Sequence, residues 1–206
     1  MSRSKIVVAL SLSLAVAGMS RTYAQNGEGT GPLTALDYAQ IQQLYASYNW
    51  AVDLGDAEGR DYAGTYVPDG VFINVVPAPA SGSCPAAAGW RAADRTVIRG
   101  TMADRLGANM CVTTRNGSQE LADLAKGIYM GGRRSSRHSN TNIKITPAPG
   151  GATGFAYLVQ MSGSSVPPVL SPSGFYEDTL VKTPAGWRFK RRIRTEDRVI
   201  IPPATR

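Results

Sequence analysis

The chain has 206 residues, of which 43% are hydrophobic and 18% charged, and its formal net charge is +7. This length and composition suit one globular domain with a sizeable core, and they exclude a coiled-coil or collagen-like architecture. A basic cluster near the C-terminus lies in a strand-like stretch without the glycine and aromatic interleaving of an RNA-binding sheet, so a nucleic-acid partner is not expected.

The first 24 residues have the features of a secretory signal peptide. Arg3 and Lys5 precede an apolar run over 6–18, and a small-residue cleavage motif ends at Ala24. A retained membrane anchor is the alternative, which the shortness of the run disfavours. We therefore expect a periplasmic or secreted protein that has no membrane contact after cleavage, carries a net charge of +4 and begins with a flexible linker over 25–33.

A helix is predicted over 35–54, at the start of a domain that we place at 34–198. Thr34 and Asp37 have the spacing of a capping box, and Gly55 follows the last turn. Between them, apolar residues recur at near-helical spacing: Leu36, Ile41, Leu44, Tyr48 and Val52. This periodicity predicts a helix with one face toward the core.

A short helix near 57–65, a turn at Pro68-Asp69-Gly70 and a strand over 71–76 are predicted next. The proline- and glycine-rich stretch 77–89 is typical of a loop. It belongs to an insertion at about 77–96 that we expect to cover the mouth of a pocket.

The insertion is followed by a short predicted strand at 97–99 and by helices near 101–111 and 118–130. Cys84 and Cys111 both fall in this irregular region. In an exported chain a disulfide between them is permitted, and two free thiols are the alternative. A zinc site is not expected, because the chain offers only one histidine and no further cysteine as ligands.

The last third of the chain is predicted to be β. Strands are expected at 137–146, 153–162, 173–182 and 186–196, joined by proline- and glycine-rich turns and followed by a tail over 199–206. Helices first and strands last predict an α+β domain, in which the N-terminal helices pack on a curved, mostly antiparallel sheet. The closed end of such a cone is a natural pocket.

His138 is the only histidine in the chain, so few catalytic arrangements are available. The arrangement that survives is a carboxylate–imidazole pair with Asp53, because imidazole titrates near neutral pH and a carboxylate can orient it. Asp53 would oppose the helix dipole at the end of its helix, which favours a functional role. Strand alternation places His138 opposite Ile143 and Ile145. A bulge near 139–141 would resolve this conflict, and a pocket on the polar face is the alternative.

Other side chains are candidates for contact with a substrate. Tyr48, as a further catalytic candidate, could donate a hydrogen bond to a developing oxyanion, although core packing explains its spacing equally well. Alternation on the last strand places Arg191 on one face with Trp187 and Phe189, where an arginine must be paired. The full predicted substrate-binding set is Tyr45, Asn49, Arg191, Trp50, Phe72 and Tyr176.

Three stretches resemble the SnoaL-like, polyketide-cyclase branch of the nuclear-transport-factor-2-like superfamily. They are Ile41–Asp56 with Tyr66–Phe72, His138–Asn142, and Gly174–Arg192. Together with their surroundings they span about 34–196. The resemblance implies a cone-like α+β barrel that is usually oligomeric, so we expect a homodimer or homotrimer.

The family includes scytalone dehydratases, isomerases, cyclases, a dehydrochlorinase and lyases of lignin-derived aromatics, as well as members that only bind ligands. Several of the enzymes use no metal or organic cofactor, and none is expected here. In the dehydratase and dehydrochlorinase members, an aspartate near the end of the first helix pairs with a histidine that opens a central strand, and Asp53 and His138 occupy those positions. The dehydrochlorinase has a lysine where this chain has Tyr48, so dehydrohalogenation is not expected.

The function expected from the residues and the resemblance is a cofactor-independent lyase that acts on a small aromatic molecule. It would be a dehydratase or would cleave a C–C bond, for example with release of formaldehyde. His138 would take a proton, Asp53 would orient the imidazole, and Tyr48 or Arg191 would stabilise an oxyanion. The alternatives are an isomerase or cyclase with the same pair, or a non-catalytic binder. A serine hydrolase is disfavoured because no Gly-x-Ser-x-Gly motif is present.

Overall fold

A computed structural model describes residues 32–79, 82–85, 89–93, 95–105, 109–130, 136–162, 167–170 and 173–197. The expected signal peptide, most of the expected linker and the expected tail lie outside these residues. In the part of the chain that is described, none of the helices has both the length and the apolar character needed to cross a membrane.

The chain begins with helices, then alternates between strands and helices, and ends with a run of strands. The helices are α1 (Ala35–Leu54), α2 (Arg60–Ala63), α3 (Arg95–Ile98), α4 (Met102–Arg105) and α5 (Gly117–Met130). The strands are β1 (Tyr66–Pro77), β2 (Arg91–Ala92), β3 (Met110–Asn116), β4 (Ser136–Ala148), β5 (Gly151–Ser162), β6 (Val169–Leu170), β7 (Gly174–Thr183) and β8 (Gly186–Glu196). The α+β prediction is confirmed.

The strands form one eight-stranded sheet in the order β2-β3-β1-β8-β7-β5-β4, with β6 paired to β5. All neighbouring strands are antiparallel except β1 and β8, which run parallel. The four predicted C-terminal strands are confirmed and form the expected meander. The sheet is curved and unclosed, and α1 packs on β4 and β8.

Helix α1 has the predicted bounds because capping residues lie at both of its ends. The Thr34 hydroxyl accepts a hydrogen bond from the Asp37 backbone N–H at 3.2 Å, and the Asp37 carboxylate accepts one from the Thr34 N–H at 2.9 Å. These bonds satisfy backbone donors that the first helical turn leaves free. At the other end Gly55 donates its N–H to the Ala51 carbonyl.

The capping carboxylate also ties α1 to the sheet. Asp37 Oδ1 accepts hydrogen bonds from Lys182 Nζ at 2.7 Å and from Trp187 Nε1 at 3.0 Å. The bond to Lys182, with those to Thr34 and Trp187, holds the pKa of the buried Asp37 carboxyl well below its usual range. The charged form is therefore the one that the fold stabilises.

Asp37→Asn is expected to lower the free energy of unfolding at pH 7 by about 1–3 kcal/mol, because charge-assisted bonds are lost at a helix cap. The pKa of Asp37 is lower in the folded than in the unfolded chain, so its contribution is complete above the unfolded value. It disappears as the pH falls through the folded value. Urea unfolding at several pH values should show that the difference in free energy of unfolding between the wild type and Asp37→Asn becomes smaller below about pH 4. A difference that stays constant into strong acid would contradict a role for the charged form of Asp37.

The predicted turn at Pro68-Asp69-Gly70 is wrong: β1 begins at Tyr66 and runs through it. The pairing of β1 with β8 shifts register between Tyr66 and Val71, so the proline and glycine mark a bulge in a strand. Gly70 is required there, because a Cβ atom would lie 2.7 Å from the Cβ of Tyr66.

Three further local predictions are corrected by tertiary pairing. The strand predicted at 97–99 is the end of α3 and a turn, and the helix near 57–65 is reduced to α2. The helix predicted over 101–111 is limited to α4, and the chain then forms β3, which pairs with β1 along its whole length. The β-branched residues of β3 suit that pairing better than a helix.

The sheet buries apolar side chains on both faces. The main core lies between the sheet and α1, α2 and α5 and includes Ile41, Leu121 and Phe189. A second cluster combines strand residues such as Ile73 and Ile193 with side chains of α3 and α4; its buried members are Ile73, Val75, Ile98, Ala103, Met110, Val112 and Ile193. Ile73 and Ile193 alternate with residues that face the main core, so the segment after β1 covers the other face of the sheet.

Cys84 and Cys111 form a disulfide, which resolves the two alternatives left open by the sequence. Cys111 is fully buried in β3, whereas Cys84 lies in the irregular segment after β1. The bond therefore attaches that segment covalently to the sheet.

Replacing both cysteines by serine is expected to destabilise the domain by about 3–4 kcal/mol, the loop-closure value for a separation of 27 residues. Urea unfolding of the double variant and of the reduced wild type measures the effect. Equal stability of the oxidised and reduced proteins would contradict a constraining role.

Candidate active site

One face of α1 carries polar side chains that are each paired with the sheet. Tyr45, Asn49 and Asp53 are spaced by four residues and so lie on the same side of the helix. Their sheet partners are Asp178 for Tyr45, Asn140 for Asn49 and His138 for Asp53. We call these three pairs the polar seam. It places hydrogen-bonding groups inside the layer between α1 and the sheet.

The last pair of the seam brings together the two residues proposed from the sequence. His138 Nδ1 lies 2.5 Å from Asp53 Oδ1, and the His138 backbone N–H donates to Asp53 Oδ2 at 2.8 Å. The side chains are 13% and 5% exposed, respectively. Because an ionised carboxylate only accepts hydrogen bonds, the ring proton of the neutral imidazole sits on Nδ1. Nε2 is then the basic atom.

Nε2 of His138 is available for chemistry. Within the described residues no group is hydrogen-bonded to it, and the ring is not fully buried. The two hydrogen bonds that Asp53 accepts fix both the orientation of the ring and the strand that carries it. This geometry suits an imidazole that takes a proton from a bound molecule and returns it.

A bulge in β4 allows His138 to face α1. The pairing of β4 with β5 shifts register between Thr141 and Lys144, and Asn142 within this shift has a φ of 51°. Asparagine tolerates this left-handed conformation better than most residues. The bulge lies just after the position predicted for it, and it brings His138 and Ile143 to the same face. The conflict in strand alternation is thereby removed.

The middle pair of the seam stands one helical turn away from the histidine pair. Asn140 Nδ2 donates to Asn49 Oδ1 at 3.1 Å. The other side-chain atom, Asn140 Oδ1, is buried and has no partner among the described residues. Asn140 is two positions from His138 on the same strand face, so this acceptor lies beside the proposed site.

The first pair of the seam belongs to a buried ionic network. Asp178 accepts two hydrogen bonds from Arg192, from Nε at 2.8 Å and from Nη2 at 3.0 Å, and a third from Tyr45 Oη at 2.5 Å. Arg192 is 0% exposed. Its Cζ atom lies 4.0–4.8 Å from the centres of four aromatic rings, those of Tyr45, Tyr48, Tyr176 and Phe189. We call this enclosure the aromatic chamber.

Electrostatics in the aromatic chamber favour one cation and neutral phenols. Burial opposes the charge of Arg192, but attraction to Asp178 outweighs burial and raises the pKa of the guanidinium well above its usual value. Burial raises the pKa of Tyr48 well above its usual range. Tyr48 is therefore a hydrogen-bond donor at neutral pH and not a base. Its Oη lies 3.4 Å from Tyr62 Oη.

The structure corrects the proposal for Arg191. Leu180 pairs with Phe189 and Thr179 with Arg191, so Lys190 is bulged out of the ladder. The bulge turns Arg191 away from the face of Trp187 and Phe189 and places Arg192 there instead.

Of the remaining predicted residues, two lie buried and one lies exposed. Phe72 is buried in the main core and is the register partner of Arg192, and Tyr176 lies in the aromatic chamber. Trp50 is 66% exposed on the outer side of α1 and is not brought to the polar seam. Sequence reasoning missed Asp178, although its alternation with Tyr176 and Leu180 marks a carboxylate on an apolar face.

Nowhere in the described ranges do three or more His, Cys, Asp or Glu side chains gather in a way that could hold a metal ion.

Comparison with known proteins places the whole domain in one family. The profile of the SnoaL-like domain matches residues 33–193. Among curated proteins, none matches this sequence.

Several solved structures share the fold. A protein of unknown function with a cystatin-like fold from Nostoc punctiforme is 20% identical, with a TM-score of 0.57 and coverage of 82% of this chain and 97% of that one. A putative scytalone dehydratase from Novosphingobium aromaticivorans is 19% identical, with a TM-score of 0.50 and coverage of 79% and 85%. ActVI-ORFA from Streptomyces coelicolor is 19% identical, with a TM-score of 0.53 and coverage of 79% and 98%. At sequence identities this low, the similarity to these structures shows a shared fold and nothing more.

Proposed function

The chain belongs to the SnoaL-like domain family, and from this premise we propose that it is a cofactor-independent lyase acting on a small aromatic molecule. The reaction would be a dehydration or the cleavage of a C–C bond with release of a small fragment such as formaldehyde. The observation that carries the proposal is the contact of Asp53 with both Nδ1 and the backbone N–H of His138.

The proposed mechanism uses one proton and no external oxidant. In a dehydration, His138 Nε2 removes a proton from an activated carbon, the C–H electron pair forms the double bond, and the imidazolium protonates the departing hydroxyl group as water. In a C–C cleavage, Nε2 removes the proton of a hydroxyl group, whose oxygen becomes a carbonyl as the C–C bond breaks. The imidazolium then protonates the carbon left behind. Asp53 stabilises the imidazolium in both cases.

Tyr48 is the proposed stabiliser of the oxyanion that develops during either reaction. Its phenol is buried and protonated, so it can donate a hydrogen bond in a site from which water is excluded. Arg191 is not proposed for this role, because it faces the other side of the sheet.

To test the proposal, protein treated with a metal chelator is incubated with hydroxylated aryl compounds, and the products are identified by mass spectrometry. A lyase gives products that have lost water or formaldehyde. An isomerase or cyclase, the second candidate, gives a product of unchanged mass. His138→Ala should abolish the turnover of the lyase while the fold stays intact. Tight binding without any conversion would instead favour a non-catalytic member of the fold.

We also propose export of the mature chain. The apolar segment with basic residues at its start supports it, and so does the Cys84–Cys111 disulfide, since such bonds persist in oxidising compartments. Fractionation of cells that express the full chain tests this. Protein that stays in the cytoplasm with residues 1–24 attached would overturn it.

A homodimer or homotrimer is proposed as the working assembly. Exposed apolar side chains lie along β5 and β6, with Tyr157 49% and Leu170 75% exposed. Tyr157→Glu is expected to shift the protein toward the monomer, because a charge would be buried in the contact. Light scattering after size exclusion measures the mass, and the exposed Thr179→Glu on β7 is the control. An unchanged oligomer in Tyr157→Glu would place the contact elsewhere.

A further inference from the structure

Two buried polar atoms, one in the polar seam and one in the aromatic chamber, are left without a hydrogen bond among the described residues. They are Arg192 Nη1, a donor, and Asn140 Oδ1, an acceptor. A buried group without a partner costs free energy that a partly exposed group would not. Both atoms lie in the layer that also holds His138, so a molecule bound in this layer is the natural partner for both.

The unpaired Nη1 atom of Arg192 indicates which kind of ligand group would bind there. Asp178 accepts hydrogen bonds from Nε and Nη2, which leaves Nη1 as the one guanidinium nitrogen that donates no hydrogen bond within the described residues. The surrounding rings present neutral faces to the cation. An anionic oxygen would add a charge-assisted hydrogen bond, which neutral rings cannot supply.

Asn140 specifies the opposite kind of group. Its Nδ2 is bound to Asn49, so the free atom is the carbonyl oxygen. That atom accepts a hydrogen bond from a ligand hydroxyl. A hydroxyl at this point would lie beside His138, two positions away on the same strand face.

The helix sets the distance between these groups. Tyr45 and Asn49 are four residues apart, about 6 Å along the helix axis, so their sheet partners Asp178 and Asn140 lie at levels about 6 Å apart, and Arg192 is bound to Asp178. We infer that the layer between α1 and the sheet binds an aromatic molecule whose anionic oxygen meets Arg192 and whose hydroxyl meets Asn140. This deepens the proposed function by naming the substrate class: a hydroxylated aryl ring with a short acidic side chain.

The ring of Tyr48 covers one side of the Arg192 guanidinium. This ring lies 4.1 Å from Arg192 Cζ, and its hydroxyl is held by a 3.4 Å contact with Tyr62. That contact is long for a hydrogen bond between hydroxyl groups, so it is a weak restraint on the ring.

The inference is tested by binding and not by turnover, so its failure is separable from that of the proposed lyase activity. The probe is 3-(4-hydroxyphenyl)propanoate, which has no group to eliminate, compared with its neutral amide and with 3-phenylpropanoate. Calorimetry on the wild type should give about 10- to 100-fold tighter binding of the hydroxy acid than of the amide. It should also bind more tightly than the acid without the hydroxyl. Equal affinities, or no binding of the hydroxy acid, overturn the inference.

Variants assign the preference to the two residues. Arg192→Lys keeps a cation beside Asp178 but lacks the third nitrogen, so it should lose the preference for acid over amide. Arg194→Lys is the matched control, because Arg194 lies on the same strand and is already paired with Asn74 and Glu196. Asn140→Leu should lose the preference for the hydroxyl alone. A preference for acid over amide that survives in Arg192→Lys, or that is lost equally in Arg194→Lys, contradicts the assignment. The comparison of the three ligands on the wild type remains valid even if a variant fails to fold.

Discussion

His138→Ala is expected to reduce turnover of an identified substrate by about 10²- to 10⁴-fold, the usual contribution of a positioned general base. The reason is that Nε2 is the only imidazole nitrogen in the chain that can take the proton. The decrease should appear in kcat, since the group acts in the reacting state and contributes little to binding. Steady-state kinetics with unfolding curves of both proteins measure it.

Asp53→Asn separates orientation from proton transfer. The amide retains the volume of the carboxylate but cannot stabilise an imidazolium, so we expect a decrease of similar order with His138 still present. The combined variant should be little worse than either single one, because the two residues act as a unit. Ser139→Ala, at the exposed position next to His138, is the matched control. Unchanged turnover in Asp53→Asn with an intact fold would remove the pair from the mechanism.

Arg192→Met is expected to lower the free energy of unfolding by about 3–5 kcal/mol, because it leaves the buried carboxylate of Asp178 without its counter-ion. Both side chains are fully buried, so solvent does not screen the remaining charge. Asp178→Leu should cost a similar amount by leaving the guanidinium unpaired. Urea unfolding gives both values.

The double variant Asp178→Leu with Arg192→Met decides whether the pair is retained for stability. Replacing both ions by apolar side chains removes both desolvation penalties, so it should recover most of the loss. Arg194→Met, which breaks a partly exposed pair, should cost about 1 kcal/mol or less. A double variant as unstable as the sum of its singles would indicate that the two ions are not coupled.

Local signals predicted much of the fold. Helix α1 has its predicted bounds because Thr34, Asp37 and Gly55 act within one turn of the chain. The C-terminal strands were predicted because alternation and turn residues lie within each hairpin. The pairing of Asp53 with His138 was predictable in outline, since one histidine leaves few arrangements and the family resemblance supplies the partner.

Strand β3 and the buried cation were not predictable in this way. The stretch 110–116 becomes a strand because β1 offers it a full register of partners, which are distant in the chain. Arg191 and Arg192 are neighbours in sequence, and only the bulge at Lys190 decides which of them faces the aromatic chamber. A shift of one residue exchanges the two faces of a strand, so alternation before the bulge does not carry past it.

What the sequence determined by itself is therefore the type of fold, the first helix and the imidazole and carboxylate that form a pair, because these follow from residue identity, local spacing and the family resemblance. Tertiary structure decided which atoms were left unpaired inside the layer. Asn140 Oδ1 and Arg192 Nη1 became candidates for ligand contact only after bulges in β4 and β8 set their faces. The position of a bulge depends on the hydrogen bonds of both neighbouring strands, and no single segment contains that information.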